Sequence, residues 1–105
     1  MVAVAKQADT APWDSIWVFD HFHTVPEPTQ NSVFEVWTAT AALTRETSHV
    51  NVGQMVGCNG YRQPLLYAKT ASTVDAMSRG RLYAGLGAGW YEHEWKAYGY
   101  GFPRA

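Results

Sequence analysis

Cysteine is almost missing from these 105 residues: Cys58 stands alone. That excludes an internal disulfide and suits a reducing compartment, with the cytoplasm as the expected location. Charge is scarce as well, at 16% charged residues and a formal net charge of -1. No long-range field therefore draws the chain to nucleic acid or to an anionic membrane. No apolar run approaches the length of a membrane span. The first residues lack the basic start and long apolar stretch of a secretory leader. The histidines His21, His23, His49 and His93 offer no third ligand at a metal-binding spacing, so no metal is expected.

Aromatic residues are what the chain has in plenty. Five Trp, six Tyr and four Phe accompany a hydrophobic content of 47%. This composition builds a folded core. It also leaves some rings half-exposed, at a site or against another chain.

Strand, polar loop and helix follow one another three times, at intervals of about 30 residues, the size of one strand–helix step in a parallel sheet. Ala-rich Val2–Asp9 favours helix and is stopped by Ala11-Pro12. Ser15 to Asp20 reads as a strand, so continuously apolar that both of its faces are expected to be covered. His21 to Gln30 is loop. Asn31 or Ser32 is placed to cap a second helix, with Glu35 in its first turn and Val33, Phe34, Trp37, Ala41 and Leu43 on one face. Val50 to Val56 is a second strand and Gly57 to Gln63 a loop. Pro64 suits the first turn of a third helix, and Gly80 the left-handed residue after its end. Arg81 to Leu86 is a third strand, and Tyr91 to Tyr98 a short helix whose Glu92 and Glu94 complement the positive end of its dipole. Right-handed crossovers then put all three strand ends on one edge, where parallel α/β proteins collect their chemistry.

Those strand ends carry the candidate residues. Asp20-His21 is the sharpest pair: a carboxylate that can accept from a ligand or orient a neighbour, beside an imidazole that can move protons near neutral pH. The alternative is that Asp20 caps the following loop and His21 packs beneath it. His23 reads as a solvated loop residue. Arg62 can pair with an anion or with a strand-end carboxylate. Cys58 reads as a small buried thiol. Gly85-Leu86-Gly87-Ala88-Gly89 either cradles a phosphate or serves tight strand-to-helix turning, and it matches neither the P-loop nor the dinucleotide fingerprint. Trp90-Tyr91 could stack on a flat ligand, while packing against another part of the fold is the favoured use.

Together these segments resemble the luciferase-like monooxygenases, in the branch that uses the deazaflavin F420. Trp13-Asp14-Ser15-Ile16-Trp17-Val18-Phe19-Asp20-His21-Phe22 is similar to the family's second strand. Tyr61-Arg62-Gln63-Pro64, Ser78-Arg79-Gly80-Arg81-Leu82 and Gly85-Leu86-Gly87-Ala88-Gly89-Trp90 follow in the family's order, and the match continues through Glu92 and Glu94 to Phe102-Pro103. The resemblance implies an α/β fold, part of a (β/α)8 TIM barrel. Strands two to four and their helices would form one partial domain over residues 1–105, without the first strand and the C-terminal half.

It further implies an oxidoreductase that transfers a hydride between a small organic substrate and F420, with FMN as the alternative cofactor. The non-catalytic alternative is a barrel piece that self-associates or pairs with a partner chain. By position, His21 matches a proton acceptor. Asp20, Gln54, Met55, Gly57, Ala88 and His93 match residues that bind or support the cofactor. Gln54-Met55 matches the end of the Val50–Val56 strand, where the family often has a non-proline cis peptide. Trp90 stands where some dehydrogenase members carry a catalytic Glu, and Pro12 where the family usually has Gly.

Overall fold

The computed structural model describes residues 1–103. Helix α1 (Val2–Asp9) leads into strand β1 (Ser15–Val18), followed by α2 (Val36–Glu46) and β2 (Asn51–Gln54). A short strand β3 (Gly57–Cys58) and a 3₁₀ turn (Asn59–Tyr61) precede α3 (Pro64–Ser78). Strands β4 (Leu82–Tyr83) and β5 (Leu86–Gly87) and helix α4 (Glu92–Ala97) complete the order. All ladders are parallel: β1-β2-β4 form one sheet, and β3-β5 pair separately.

The register separates the two faces of the sheet. Ile16, Val52 and Leu82 lie in one row, and they pack with Ala5, Leu43, Trp37 and Val74 of the helices. This is the core, and the helices cover only this face. Trp17, Gly53 and Tyr83 form the next row, on the opposite face. There the Trp17 and Tyr83 rings stack with centroids 5.6 Å apart. A Cβ on Gly53 would lie 2.3 Å from Trp17 Cε3, so only glycine lets the indole cross to its partner. Trp17 remains 46% exposed and Phe19 47%. The expectation that both faces of this strand are covered is thus corrected: continuous apolarity here reflects a second face that the described residues leave open.

Two expected strands are each divided. The Val50–Val56 strand stops at Gln54, and the Met55–Val56 peptide just beyond it is cis. Pairing resumes at β3, inside what reads as a loop in the sequence, with Gly57 N–H donating to Gly85 O at 2.9 Å. Arg81–Leu86 divides in the same way into β4 and β5. The second helix also starts later than expected. Glu35 is its cap, not a first-turn residue: its carboxylate accepts from Trp37 N–H at 3.1 Å and Thr38 N–H at 2.7 Å, which leaves Phe34 outside the helix. α3 begins at Pro64 as expected, with the Gln63 side chain accepting from Leu66 N–H. At its end Arg79 (φ 61°) and Gly80 (φ 81°) are both left-handed.

Long-range polar ties hold the far end of the sheet. Arg81 donates to the carbonyls of Thr44, Thr47, Ser78 and Val50, joining the ends of α2 and α3 to β2. Asp9 does the same for α1, accepting from the N–H groups of Ser48, His49 and Val50 at 2.7–2.9 Å. Burial alone would raise a carboxylate's pKa, but these donors outweigh it and Asp9 titrates at about 2, below its ordinary 3.8. Because its pKa is lowered by folding, its contribution to stability is complete above pH 3.8 and is lost as pH falls toward about 2. Unfolding followed against pH should therefore show an acid limb in this window that Asp9→Asn flattens. Parallel limbs in parent and variant would refute the assignment.

Candidate active site

The C-terminal ends of the strands and the loops after them surround a cleft of about 330 Å³. Met55, Val56, Gly87, Ala88, Gly89 and Trp90 supply a largely apolar wall, and Asp20, His21, Cys58, Tyr61 and Tyr91 complete it. The arrangement depends on two buried polar assemblies, one at each of the adjacent residues Asp20 and His21.

Asp20 lies just past β1 with its carboxylate fully buried. It accepts from Cys58 N–H at 2.8 Å and from both terminal nitrogens of Arg62, at 2.5 and 3.1 Å. Arg62 also pairs with the helix-cap carboxylate of Glu35. Of the two readings of Arg62, the strand-end carboxylate is the one that holds. The planar guanidinium bridges the β1 end to the start of α2, with the geometry that favours bidentate pairing.

His21 rests on Glu94. Its Nδ1 lies 2.9 Å from Glu94 Oε2. The ring packs among Phe19, Trp90 and Tyr91, with centroids 5.3–6.0 Å away. Glu94 is fully buried and accepts three further hydrogen bonds: Phe22 N–H at 2.7 Å, His23 N–H at 2.9 Å and Tyr61 O–H at 2.8 Å. Burial by itself would raise its pKa. The donors from His23, His21 and Tyr61 overcome that and hold it below the ordinary carboxylate range. Desolvation, together with the same buried carboxylate, pushes the Tyr61 phenol up. An aromatic cluster keeps α4 in place: Cys58, Tyr61 and Trp95 are buried together, with Phe22 and Tyr100 against them.

Among the sequence candidates, Asp20, His21, Met55 and Ala88 meet at the cleft, as do Trp90 and Tyr91. Gln54 and Gly57 do not line it. Gln54 is buried behind the sheet, bonded to Thr40 Oγ1 and Tyr67 O–H. His93 lies one layer out, its ring stacked on Tyr91 at 5.7 Å. His23 is not the solvated loop residue expected: it is half-buried, its Nδ1 is shielded without a partner, and its backbone is held by Glu94. Cys58 is buried, and desolvation pushes its thiol up, away from nucleophilic use. In the glycine-rich stretch the tight-turn reading is favoured. Gly89 has φ 84°, and a Cβ there would sit 2.6 Å from Cys58 Sγ.

Glu94 is the residue that sequence reasoning undervalued. In the first turn of a helix it reads as a dipole complement, and its partners lie 33 to 73 residues away. The resemblance running through Glu94 was the one available signal.

A parallel strand–helix array with a cleft at the carboxyl ends of its strands is the arrangement found in α/β barrels. The comparisons with known proteins agree. A family model described as luciferase-like monooxygenase matches residues 1–105, and the chain belongs to that family. An F420-dependent hydroxymycolic acid dehydrogenase of Mycobacterium tuberculosis is 30% identical over 90 residues, covering 85% of this chain and 25% of the relative. An F420-dependent secondary alcohol dehydrogenase, solved with an F420-acetone adduct, superposes with a TM-score of 0.73 at 27% identity, covering 84% of this chain and 27% of the other. The oxygenating constituent of 3,6-diketocamphane monooxygenase from Pseudomonas putida, solved with FMN, superposes with a TM-score of 0.78 at 22% identity, covering 93% and 26%. That last likeness shows the fold alone. The chain spans between 25% and 38% of the curated relatives it matches. No helix among the described residues is long and apolar enough to cross a membrane.

Proposed function

We propose that this chain supplies one wall of an oxidoreductase site in which a hydride passes between an organic substrate and F420, with FMN as the alternative cofactor. The observation that carries the reading is His21, held by buried Glu94 at the edge of an apolar cleft on the strand ends. Two relatives at 27% and 30% identity, both F420-dependent dehydrogenases, support the deazaflavin and an alcohol as the substrate class.

The cleft suits a planar ring. Its volume of about 330 Å³ is at the lower end of small-molecule sites. No Lys or Arg lines it among the described residues, so the phosphate of such a cofactor would be neutralised elsewhere. Met55, Ala88 and the Gly87–Gly89 backbone would lie against the ring. Asp20, through Arg62 and Cys58 N–H, keeps the β1 end in register with that wall. Gln54, Gly57 and His93 back it from behind. Bound there, F420 would supply the hydride acceptor for oxidation of an alcohol C–H bond. His21 Nε2 would take the O–H proton as the carbonyl forms, and the Glu94 carboxylate would stand beside the resulting imidazolium.

A second reading has a specific observation behind it. The open face of the sheet presents Trp17, Phe19, Tyr83, Met55 and Leu86, each 46–61% exposed. Such an apolar surface favours burial against a second copy or a partner chain that completes the barrel. Titrating the purified chain with F420 and with FMN, while following light scattering, separates the readings. Cofactor quenching or a spectral shift that saturates is expected for a working wall. No change with either cofactor would overturn the oxidoreductase reading for this chain. A monomer that persists at high concentration would overturn the association reading.

A further inference from the structure

We propose that Glu94 is a positioning residue that sets the tautomer of His21, fixing the proton on Nδ1 and presenting Nε2 to the cleft as a bare acceptor. The functional use of that acceptor rests on the oxidoreductase reading above, but the tautomer itself is a property of this chain alone.

The donors around one carboxylate leave His21 a single arrangement. Oε1 accepts from Phe22 N–H and His23 N–H, which can only donate. Oε2 faces Tyr61 O–H and His21 Nδ1. An ionised carboxylate has only lone pairs to offer. Its buried position leaves it no water to turn to, so Nδ1 must carry the hydrogen. In a neutral imidazole the other nitrogen is then unprotonated. Nε2 has no hydrogen-bond partner in the protein among the described residues, and it is not one of the shielded unpartnered nitrogens. His21 lines the cleft. The ring cannot easily turn over to exchange its nitrogens, because Phe19, Trp90 and Tyr91 enclose it. A carboxylate that orients an imidazole in this way is the general device by which a histidine base is kept in its accepting form. Here the two partners come from the first strand end and the last helix, 73 residues apart in sequence. The acceptor is therefore assembled only when α4 docks.

Glu94→Gln tests this sharply. The amide oxygen can keep the Phe22 and His23 N–H bonds. That turns the amide nitrogen, a donor, toward Nδ1, and Nδ1 must now accept. His21 should invert to the Nε2–H tautomer, presenting a donor to the cleft. Long-range 1H–15N correlation of the imidazole nitrogens in alkaline buffer reads this directly, without any cofactor. In the parent chain Nδ1 should show the shift of a protonated nitrogen and Nε2 that of a bare one, with the two exchanged in Glu94→Gln. Tyr61→Phe, which keeps the Glu94–His21 contact, should leave the parent pattern unchanged. A parent chain with the proton on Nε2 would overturn the proposal, even if Glu94→Gln failed to fold. So would a folded Glu94→Gln that kept the parent pattern. Cofactor titration fails independently: no F420 binding beside the expected tautomer would remove the oxidoreductase reading and leave the Glu94–His21 coupling standing.

Discussion

Arg62→Met should lower the stability of the chain by about 3–5 kcal/mol, the cost of stranding a buried carboxylate by removing its partner. The reason is Asp20. Its side chain is fully buried and takes two of its hydrogen bonds from the guanidinium. Methionine fills much of the space but donates nothing, and Asp20 keeps only Cys58 N–H. Glu35 loses a partner too, but it is 39% exposed at its side chain, and water replaces the arginine there at little cost. Most of the penalty therefore belongs to Asp20. A second substitution, Asp20→Asn, made in the Arg62→Met background should recover part of the loss, because a neutral amide is far cheaper to bury unpaired than a charge. Urea unfolding followed by tryptophan fluorescence measures both. An Arg62→Met unfolding free energy within about 1 kcal/mol of the parent would show that the ion pair does not hold the β1 end.

Glu94→Leu should cost a comparable amount, about 2–6 kcal/mol, for a different reason. The charge goes, so no bare ion is left behind. What remains are donors without acceptors: Phe22 N–H, His23 N–H, Tyr61 O–H and His21 Nδ1. His21 can shift its proton, and Tyr61 can rotate its hydroxyl. The two backbone amides have no such freedom, and each unsatisfied one costs about 1–3 kcal/mol. The loop after β1 should loosen first. Amide hydrogen exchange at Phe22 and His23 should speed up well before global unfolding does. Unchanged exchange at those two amides would refute the assignment of Glu94 as their anchor.

Both effects concern residues that the sequence presents without their partners. Asp20 and Arg62 are each recognisable, one as a strand-end acid and the other as a cation in the following loop, and a pairing between them is one of two open readings. The choice between a ligand anion and Asp20 depends on how β1 and the loop after β2 lie side by side. The helices are more legible. Pro64 marks the start of α3 and Gly80 its end because φ restrictions act locally. The strand breaks are not: nothing in Gln54-Met55-Val56 marks which residue leaves the ladder. The non-proline cis peptide that the resemblance places at Gln54-Met55 is present one bond later, between Met55 and Val56.

The alternation of strands and helices, the parallel α/β class, the family and the Asp20-His21 pair at a strand end are all legible along the chain. These depend on composition, on local backbone preference and on motif order, all carried by neighbouring residues. That Arg62 closes on Asp20, that Glu94 turns inward to hold His21, and that Gln54 and Gly57 stand behind the cleft emerges with the folded arrangement. Each of those is a contact between distant segments, and its energy comes from burial and hydrogen bonding that exist only after the segments meet. The open face bearing Trp17 and Tyr83 belongs to the same class: the apolar run is plain in the sequence, while which side of it lacks a cover is a property of how the helices pack.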